Sequence, residues 1–466
     1  MPQAPQTARR ALFGLAFVAA GLATGLAVLL LREPSDPYWK RRPRAVPPPA
    51  DAVAVYAYGD STMEGAPYPA GMGIPTMVER CFAGRTGPRT VRVQNLAFSS
   101  NVLSEDPADT LLEVLERADV YRPAAVLLYA GHIEPTPKGG GTRAERGEAR
   151  ARRYRNAVQA LAVRAREAGV PLLVGLPISN AVDLPPVISD CPTAAEPGCS
   201  TGLAAADDAL DRGAPRAALE ILEPLLEAAP ENALVRYLRG RALLALGRDD
   251  DAEAMFEASL GLDQADVRVE PSMLRALLAL CAEGLATCVD ARPEILARYG
   301  HADRRLFADA HHPNPRGYAV LGRAFATTLA TRLGLPEPEC PDPERLPGDL
   351  ASVAASVDTA VRLQVTGLCL MWAALARPDV AARTFLGRAE ETLQPLEGAP
   401  LDARQAQVAA FRRLVLAALR GDRQGVARWK SAALAEPLPD EIRPWLADRV
   451  VAARLHGAGI ELGPRP

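Results

Sequence analysis

Two distant stretches of the chain contain the residue types of a serine-nucleophile triad. Ser61 directly follows the apolar run in "DAVAVYAYGDS", and "FADAHHPNPRGY" places Asp309 three residues before His312. On a turn that enters a helix, this spacing lets the carboxylate accept a hydrogen bond from imidazole Nδ1, which leaves Nε2 to take a proton from a serine. His311 is the competing base, but its spacing of two from Asp309 makes the same contact harder. We therefore predict Ser61 as nucleophile, His312 as base and Asp309 as the group that orients the base.

Short apolar strands that alternate with amphipathic helices position these residues. The predicted strands are 52–58, 90–96, 124–130, 171–177 and 286–290. The predicted helices lie near 75–84, 107–118, 143–168 and 315–333. This alternation is typical of a parallel sheet covered by helices on both faces, in which reactive groups gather at the carboxyl ends of the strands. Ser61 follows the first predicted strand at that edge.

The alternation of strands and helices is interrupted between residues 201 and 264. Small and large apolar residues recur here with a period of 34 residues, since Gly213, Ala218 and Leu222 return as Gly247, Ala252 and Phe256. The period resembles that of tetratricopeptide repeats, and two repeats are fewer than a free-standing stack needs. We therefore expect the hairpins to pack on the α/β domain and to offer a surface for a peptide or protein partner.

A second helical region, 348–466, is predicted at the C-terminus. It is helical throughout, and "ALRGDRQGVARWKSAAL" is a degraded echo of the repeat unit. A chain of 466 residues is too long for one compact core. We expect an α/β domain formed by 51–200 and 265–335, the repeat-like insert 201–264, and this C-terminal all-α domain.

The N-terminal part of the chain contains a candidate membrane anchor. Residues 11–31, "ALFGLAFVAAGLATGLAVLLL", are uninterrupted by charge. At about 1.5 Å per residue, a helix of this length spans the roughly 30 Å apolar core of a bilayer. A cleaved signal sequence is the alternative, although its apolar region is usually shorter. We predict a cytoplasmic or N-terminal tail at 1–10, a single-pass transmembrane helix at 11–31 and a Pro/Arg-rich linker at 32–50.

The side of the membrane is predicted from the cysteines, against the distribution of charge. Arg and Lys are more numerous after the apolar segment than before it, which alone would keep the C-terminal side in the cytoplasm. Cys191 and Cys199 bracket a short loop, and Cys281 and Cys288 lie seven residues apart. Either pair can close a small disulfide in an oxidising compartment, with unpaired buried cysteines as the alternative. We expect an extracytoplasmic, periplasmic catalytic region.

Composition and charge exclude several classes of function. Apolar residues make up 48% and charged residues 23% of the chain, as in a globular protein, and a net charge of −3 does not favour nucleic-acid binding. The sequence has no nucleotide motif, phosphate-binding glycine loop or CxxC metal spacing. We predict a protein that needs no metal and no organic cofactor.

Four motifs in a fixed order carry a family resemblance. They are GDS in "AYGDS", Asn-Leu-Ala in "VQNLAFSSN", Gly-x-x-Glu in "YAGHIEP", and DxxH followed by Pro-Asn in "DAHHPN". Together they resemble the SGNH/GDSL hydrolases over residues 50–333. The phrases "STMEGAPY", "PISNAVDLPP" and "LGLDQADVRVEPSMLRAL" resemble a bacterial branch with an inserted tetratricopeptide-repeat segment. The resemblance implies a three-layer α/β/α flavodoxin-like fold and an ester hydrolase whose triad is Ser61, His312 and Asp309.

The resemblance also implies an oxyanion hole, and here the sequence departs from the family twice. The usual donors are the N–H of the serine, here Ser61, the N–H of a second-motif glycine, and a third-motif asparagine side chain. The glycine position is Ser100, whose N–H survives the change, but the asparagine position is Ile133, whose side chain has no donor. Loss of one donor costs on the order of 10²–10³ in rate. The nearest substitute donors are His132, Asn101 and Thr62.

Four more polar residues near the motifs are assigned provisional roles. Asp60 and Glu134 are expected to brace the nucleophile turn and a strand end rather than to act as acids. Asn180, in "PISNAVDLPP", is a candidate for substrate binding, with an ordinary Asx-rich loop as the alternative. Arg268, in "DVRVEP", is a candidate for contact with an anionic group of the substrate, with a salt bridge as the alternative.

Together these features predict a membrane-anchored serine esterase with a weakened oxyanion hole, which hydrolyses an ester of a lipid or an acylated glycan at the cell envelope. Two alternatives stay open. An acyltransferase would use the same triad to pass the acyl group to a sugar hydroxyl. A catalytically inactive scaffold would bind a protein partner through its helical repeats; Ile133 favours this alternative, whereas the retained triad opposes it.

Overall fold

The computed structural model describes residues 43–83, 90–137, 142–192, 198–377, 379–435, 437–442, 445 and 449–457. The predicted tail at 1–10 and anchor at 11–31 lie outside the described residues, as does most of the linker. The chain divides into two compact units. The sheet unit comprises the described residues up to 356 with a short stretch at 377–381, and the helical unit comprises 357–376 and the described residues from 382 onward.

A five-stranded, wholly parallel sheet forms the centre of the sheet unit. Its strands are β1 (Ala52–Gly59), β2 (Thr90–Asn95), β3 (Pro123–Tyr129), β4 (Leu172–Gly175) and β5 (Thr287–Val289). They lie in the flavodoxin-like order β2-β1-β3-β4-β5. All five predicted strands are confirmed, with β4 and β5 shorter than predicted. β1 and β3 read as near-continuous apolar runs because their central positions bury them on both faces.

Helices cover both faces of this sheet and form the insert. In chain order they are α1 (Ser61–Glu64), α2 (Ile74–Cys81), α3 (Asp109–Glu116), α4 (Ala118–Tyr121), α5 (Arg143–Glu167), α6 (Gly198–Asp211), α7 (Pro215–Ala228), α8 (Ala233–Ala245), α9 (Asp249–Leu262), α10 (Pro271–Ala282), α11 (Arg292–Tyr299) and α12 (Pro315–Leu333). One apolar core, with Val78 and Phe325, lies between the sheet and α2, α11 and α12. The other, with Tyr154 and Leu277, lies between the sheet and α3, α5 and α10. The predicted three-layer α/β/α architecture is confirmed.

The insert consists of α6 to α9, in which consecutive helices pack as antiparallel hairpins. A Cβ on Gly240 of α8 would lie 2.8 Å from the ring of Phe256 in α9, so a side chain here would prevent the observed approach. Ala218 and Leu222 of α7 are fully buried. The recurring small and large apolar residues of the sequence are therefore the contact residues of the hairpins.

The helical unit is formed by most of α13 (Gly348–Leu375), most of α14 (Asp379–Leu393), α15 (Ala403–Arg420), α16 (Arg423–Ala433) and α17 (Arg449–Gly457). The described C-terminal region is thus helical, as predicted. Among the described helices, α13 alone is long and apolar enough to cross a membrane, and half of its most apolar window is buried inside the protein. Buried core helices share this length and composition, so α13 is weak evidence for a membrane span.

Three disulfides lie in the sheet unit: Cys191–Cys199, Cys281–Cys288 and Cys81–Cys340. The first two are the pairs that the sequence indicates. The third joins cysteines that are 259 positions apart, so nothing in their local sequence signals the bond. It ties the C-terminal end of α2 to the segment that follows α12.

Candidate active site

Ser61 lies on a tight turn between β1 and the one-turn helix α1. Asp60 caps this helix, since its Oδ1 accepts a hydrogen bond from the Thr62 N–H at 2.9 Å. A Cβ on Gly59, whose φ is +155°, would overlap the Tyr129 carbonyl of β3, so the turn needs glycine here. Asp60 therefore braces the nucleophile turn in the way predicted from its position.

The structure brings the three predicted catalytic residues together. The Oγ of Ser61 lies 2.8 Å from Nε2 of His312, and Nδ1 of His312 lies 2.7 Å from Oδ2 of Asp309. Asp309 and His312 lie on the turn before α12, where Oδ1 of Asp309 also accepts a hydrogen bond from the His312 backbone N–H at 2.9 Å. A continuous hydrogen-bond chain thus runs from the serine through the imidazole to the carboxylate.

Burial and mutual contact set the pKa values of the two ionisable members. Burial opposes ionisation of Asp309, but the charge and the hydrogen bond of His312 hold the pKa of Asp309 far below its usual value. Burial likewise disfavours a charged His312, but the Asp309 carboxylate raises the pKa of His312 above its usual value. Asp309 therefore stays ionised at neutral pH and stabilises the imidazolium that forms when His312 accepts a proton.

The competing base, His311, lies between two other imidazoles, stacked on that of His132 and tilted against that of His312. Its ring centroid is 4.1 Å from that of His312 and 4.9 Å from that of His132. Burial, followed by the proximity of these two rings, holds the pKa of His311 well below its usual value. His311 is therefore neutral at pH 7. Because Ser61 contacts His312, the structure supports His312 as the base.

The loop after β2 places Ser100 in the left-handed region, with φ 64°. Glycine adopts this conformation most readily, which explains why a glycine is usual at this position in the family that the motifs resemble. A serine in the same conformation keeps its backbone N–H. The side chain of Ile133, which is half-buried, has no hydrogen-bond donor.

The three substitute donors differ in what their polar atoms contact. The Nδ2 of Asn101 donates to a backbone carbonyl of β1 at 3.0 Å. The Nε2 of His132 lies 3.2 Å from a backbone carbonyl after β4, and its Nδ1 lies 3.5 Å from Oδ2 of Asp60. The Oγ1 of Thr62 is buried and has no hydrogen-bond partner among the described residues. Nδ1 of His132 is also buried without a hydrogen-bond partner among the described residues, so Thr62 and His132 each retain an unengaged polar atom, and Thr62 is the one adjacent to Ser61.

Glu134 braces the loop that carries Ser100. Its carboxylate accepts hydrogen bonds from the Leu103 N–H at 2.6 Å and from the Ser104 N–H at 3.2 Å. Burial raises the pKa of Glu134, while the hydrogen bonds from Ser104 and Leu103 oppose that shift. Glu134 therefore braces the loop after β2, whereas the sequence predicted that it would brace a strand end.

The two predicted substrate-binding residues lie in one hydrogen-bonded junction beside the triad turn. The Asn180 N–H donates to the carbonyl of Ala310 at 2.8 Å. Arg268 is buried, donates to the Asn180 carbonyl at 3.2 Å and pairs with Asp263 at 3.0 Å. It also donates to two further carbonyls of the same loop, at 2.9 and 3.0 Å. For Arg268 the structure shows the salt-bridge alternative, and the charge of its guanidinium is neutralised within the protein.

Asp309, His311 and His312 also have the residue types of a metal site, since one potential ligand atom of each lies within 4.8 Å of the others. Both ring nitrogens of His312 are engaged, one by Ser61 and one by Asp309. A metal ion on this trio would displace one of these hydrogen bonds. The geometry therefore fits a serine triad better than a metal centre.

Comparisons with known proteins identify the nature of the insert. No curated protein sequence matches the chain. Among solved structures, the lipase/acylhydrolase from Enterococcus faecalis is similar, with a TM-score of 0.32 and 12% sequence identity, covering 60% of this chain and 96% of that chain. The tetratricopeptide repeat family model matches residues 209–278, from the end of α6 into α10. The predicted repeat segment is thus confirmed, and the match extends beyond the predicted end at 264.

Proposed function

We propose that the chain is a serine esterase of the SGNH type. The observation that carries the proposal is the hydrogen-bond chain from Ser61 through His312 to Asp309. It joins a nucleophile, a base and an orienting carboxylate at the carboxyl edge of a parallel sheet, where such folds place their reactive groups. The order of the four sequence motifs supports the same proposal.

In the proposed reaction, Oγ of Ser61 attacks the ester carbonyl carbon while Nε2 of His312 takes the hydroxyl proton. His312 returns this proton to the departing alcohol, and the acyl group stays on Ser61. Water then attacks the acyl-enzyme, with His312 again as base, which releases the acid and restores the serine. Asp309 stays ionised throughout and holds the imidazole in place.

The backbone N–H groups of Ser61 and Ser100 are proposed to bind the oxyanion. Because Ile133 supplies no donor, the rate is expected to be on the order of 10²–10³ below that of a hole with three donors, unless another group contributes. The buried Thr62 hydroxyl, next to the nucleophile and without a partner among the described residues, is proposed as that group.

We also propose that the ester belongs to a lipid or an acylated glycan at the cell envelope, on the extracytoplasmic (periplasmic) side. Support comes from the uncharged segment 11–31, which has the length of a membrane anchor. Further support comes from the three disulfides, because such bonds persist in oxidising compartments.

A fluorophosphonate probe and p-nitrophenyl acetate test the esterase proposal. We expect the probe to label Ser61, and we expect labelling and turnover to be lost in Ser61→Ala. The matched control is Ser356→Ala, which changes an exposed serine on α13 and should leave both unchanged. A folded wild-type protein that neither reacts with the probe nor turns over the ester would refute the proposal.

The scaffold alternative is favoured by Ile133 and by the repeat segment, since helical repeats of this kind offer a protein-binding surface. The variant Ile133→Asn distinguishes the two functions. A gain in turnover of about tenfold or more, abolished by the added change Ser61→Ala, fits a working triad with a weak oxyanion hole. If Ile133→Asn brings no gain in turnover and the fluorophosphonate probe does not label the wild type, the results fit the scaffold.

A further inference from the structure

A buried arginine without a counter-charge lies in the helical unit. Arg412, on α15, is 2% exposed. Among the described residues, its Nε and Nη1 have no hydrogen-bond partner, and no carboxylate forms an ion pair with it. Glu441 acts on Arg412 only at longer range and is itself paired with Arg404 at 2.7 Å. The positive charge of Arg412 is therefore not neutralised by the described chain.

The guanidinium remains charged despite its burial. Burial lowers the pKa of Arg412 to about 9, and the charge of Glu441 opposes this shift. At neutral pH the side chain is consequently still protonated. A buried charge without a partner strongly destabilises a fold, so a stable helical unit is expected to obtain an anion from elsewhere.

The neighbours of the guanidinium are apolar or lack a side chain. Its central carbon lies 4.1 Å from the ring centroid of Trp445 and 5.8 Å from that of Phe411. A Cβ on Gly367 of α13 would lie 3.0 Å from Nη2 of Arg412, so the guanidinium approaches the backbone of α13 closely. None of these neighbours supplies a negative charge.

A second polar side chain near this point also lacks partners. Gln364 lies one turn before Gly367 on the same side of α13 and is 5% exposed. Neither its amide nitrogen nor its amide oxygen has a hydrogen-bond partner among the described residues. The hydroxyl of Thr366 and the indole nitrogen of Trp372, on the same helix, are likewise buried without a partner. Such groups are rare in native proteins, and a bound water or ion is one of the explanations for them.

We propose that Arg412 and Gln364 bind the carboxylate of a small organic acid inside the helical unit. A carboxylate carries the single negative charge that one arginine needs, and its two oxygens match the planar guanidinium fork. The amide nitrogen of Gln364 adds a donor. The rings of Trp445 and Phe411 suit an acid with a short apolar tail. This site does not depend on the proposed esterase activity.

Thermal unfolding of the full-length protein with sodium butyrate tests the proposal, against sodium chloride at the same ionic strength. A ligand that binds only the folded state stabilises it, so butyrate should raise Tm saturably, by at least about 2 °C. The shift should vanish in Arg412→Met. It should persist in Arg413→Met, the control on the same helix, because Arg413 lies over Trp429 instead.

Two further measurements keep the outcome decisive. Without butyrate, Arg412→Met should be at least as stable as the wild type, because an apolar side chain replaces an unpaired buried charge. Gln364→Leu keeps the charge and should weaken butyrate binding about tenfold, as measured by calorimetry. Three results would overturn the proposal. The first is an equal Tm of the wild type in butyrate and in chloride, the second is a full butyrate-induced Tm shift in Arg412→Met, and the third is an unchanged butyrate affinity in Gln364→Leu.

Discussion

Two opposed effects act on the pKa of His312. Burial disfavours the imidazolium, but the Asp309 carboxylate favours it more strongly, so the pKa of His312 is raised. A base with a raised pKa is a stronger proton acceptor, yet it is unprotonated only above that pKa. The activity of the proposed esterase should therefore fall on acidification with a midpoint above about 6.5, the pKa of an unperturbed histidine.

Asp309→Asn tests this reasoning. We expect kcat to fall by about 10⁴-fold, because an amide no longer holds the imidazole in the correct tautomer. The acidic midpoint of kcat/KM should also move to lower pH, since the negative charge that raises the pKa of His312 is lost. The pH profile is measured with p-nitrophenyl acetate, and Asp342→Asn, at an exposed position, is the control. A midpoint that stays in place would argue against Asp309 as the partner of His312.

Single residues differed in how far the sequence could predict them. The contacts of Ser61, His312 and Asp309 were predictable from the types, order and local spacing of these residues. The 4.9 Å stack of His132 on His311 was not, because the two rings come from separate loops that meet only in the folded sheet unit. The unpartnered hydroxyl of Thr62 is likewise a result of tertiary packing, and no local pattern signals it.

The loop after β4 connects the repeat insert with the triad turn. At one point the Asn180 N–H donates to the Ala310 carbonyl beside Asp309. Close by, the hydroxyl of Tyr237 in α8 donates to the Val182 carbonyl at 3.0 Å. The insert is thus hydrogen-bonded to the same loop that supports the turn with Asp309 and His312, and a disturbance of that loop should affect both stability and the proposed turnover.

Arg268→Met distinguishes a structural role of this arginine from substrate binding. The change leaves Asp263 buried without its counter-charge, so the free energy of unfolding should fall by about 3–5 kcal/mol. Urea denaturation measures this effect. Arg275→Met removes an exposed pair with Glu148 and should cost less than about 1 kcal/mol. An unchanged stability with a raised KM would instead assign Arg268 to the substrate.

The elements were predictable where periodicity is strong and less so at their ends. Central strands such as β1 are recognisable as apolar runs, and the insert is recognisable by its period. The prediction for β4 continued to 177, but the strand ends at Gly175. Just beyond it, the Ile178 N–H donates to the hydroxyl of Tyr129 at 3.0 Å, so a side chain replaces a neighbouring strand as acceptor.

A pair of reporter fusions tests on which side of the membrane the whole molecule lies. Alkaline phosphatase at the C-terminus is active only outside the cytoplasm, and we expect activity because disulfides such as these three form and persist in oxidising compartments. Green fluorescent protein at the same position should stay dark. The opposite pair of results would place the chain in the cytoplasm, as its Arg and Lys distribution alone predicts.

The sequence reveals only part of the division of the molecule into an insert and two compact units. The insert is marked by a break in the alternation of strands and helices. The second boundary, near residue 356, lies inside α13, which continues without a break from Gly348 to Leu375. Prolines and glycines mark boundaries that fall in loops, so a boundary within a continuous helix leaves no such mark.

The Cys81–Cys340 disulfide closes a covalent ring within the sheet unit. The ring includes the entire insert with Asp309 and His312, whereas Ser61 lies outside it on the N-terminal side. A protease that cut a turn of the insert would open the ring without releasing a fragment. Ser61 and His312 would then belong to two peptides that remain one molecule until a reductant is added. A nicked protein should accordingly run as one band on a non-reducing gel and as two after reduction.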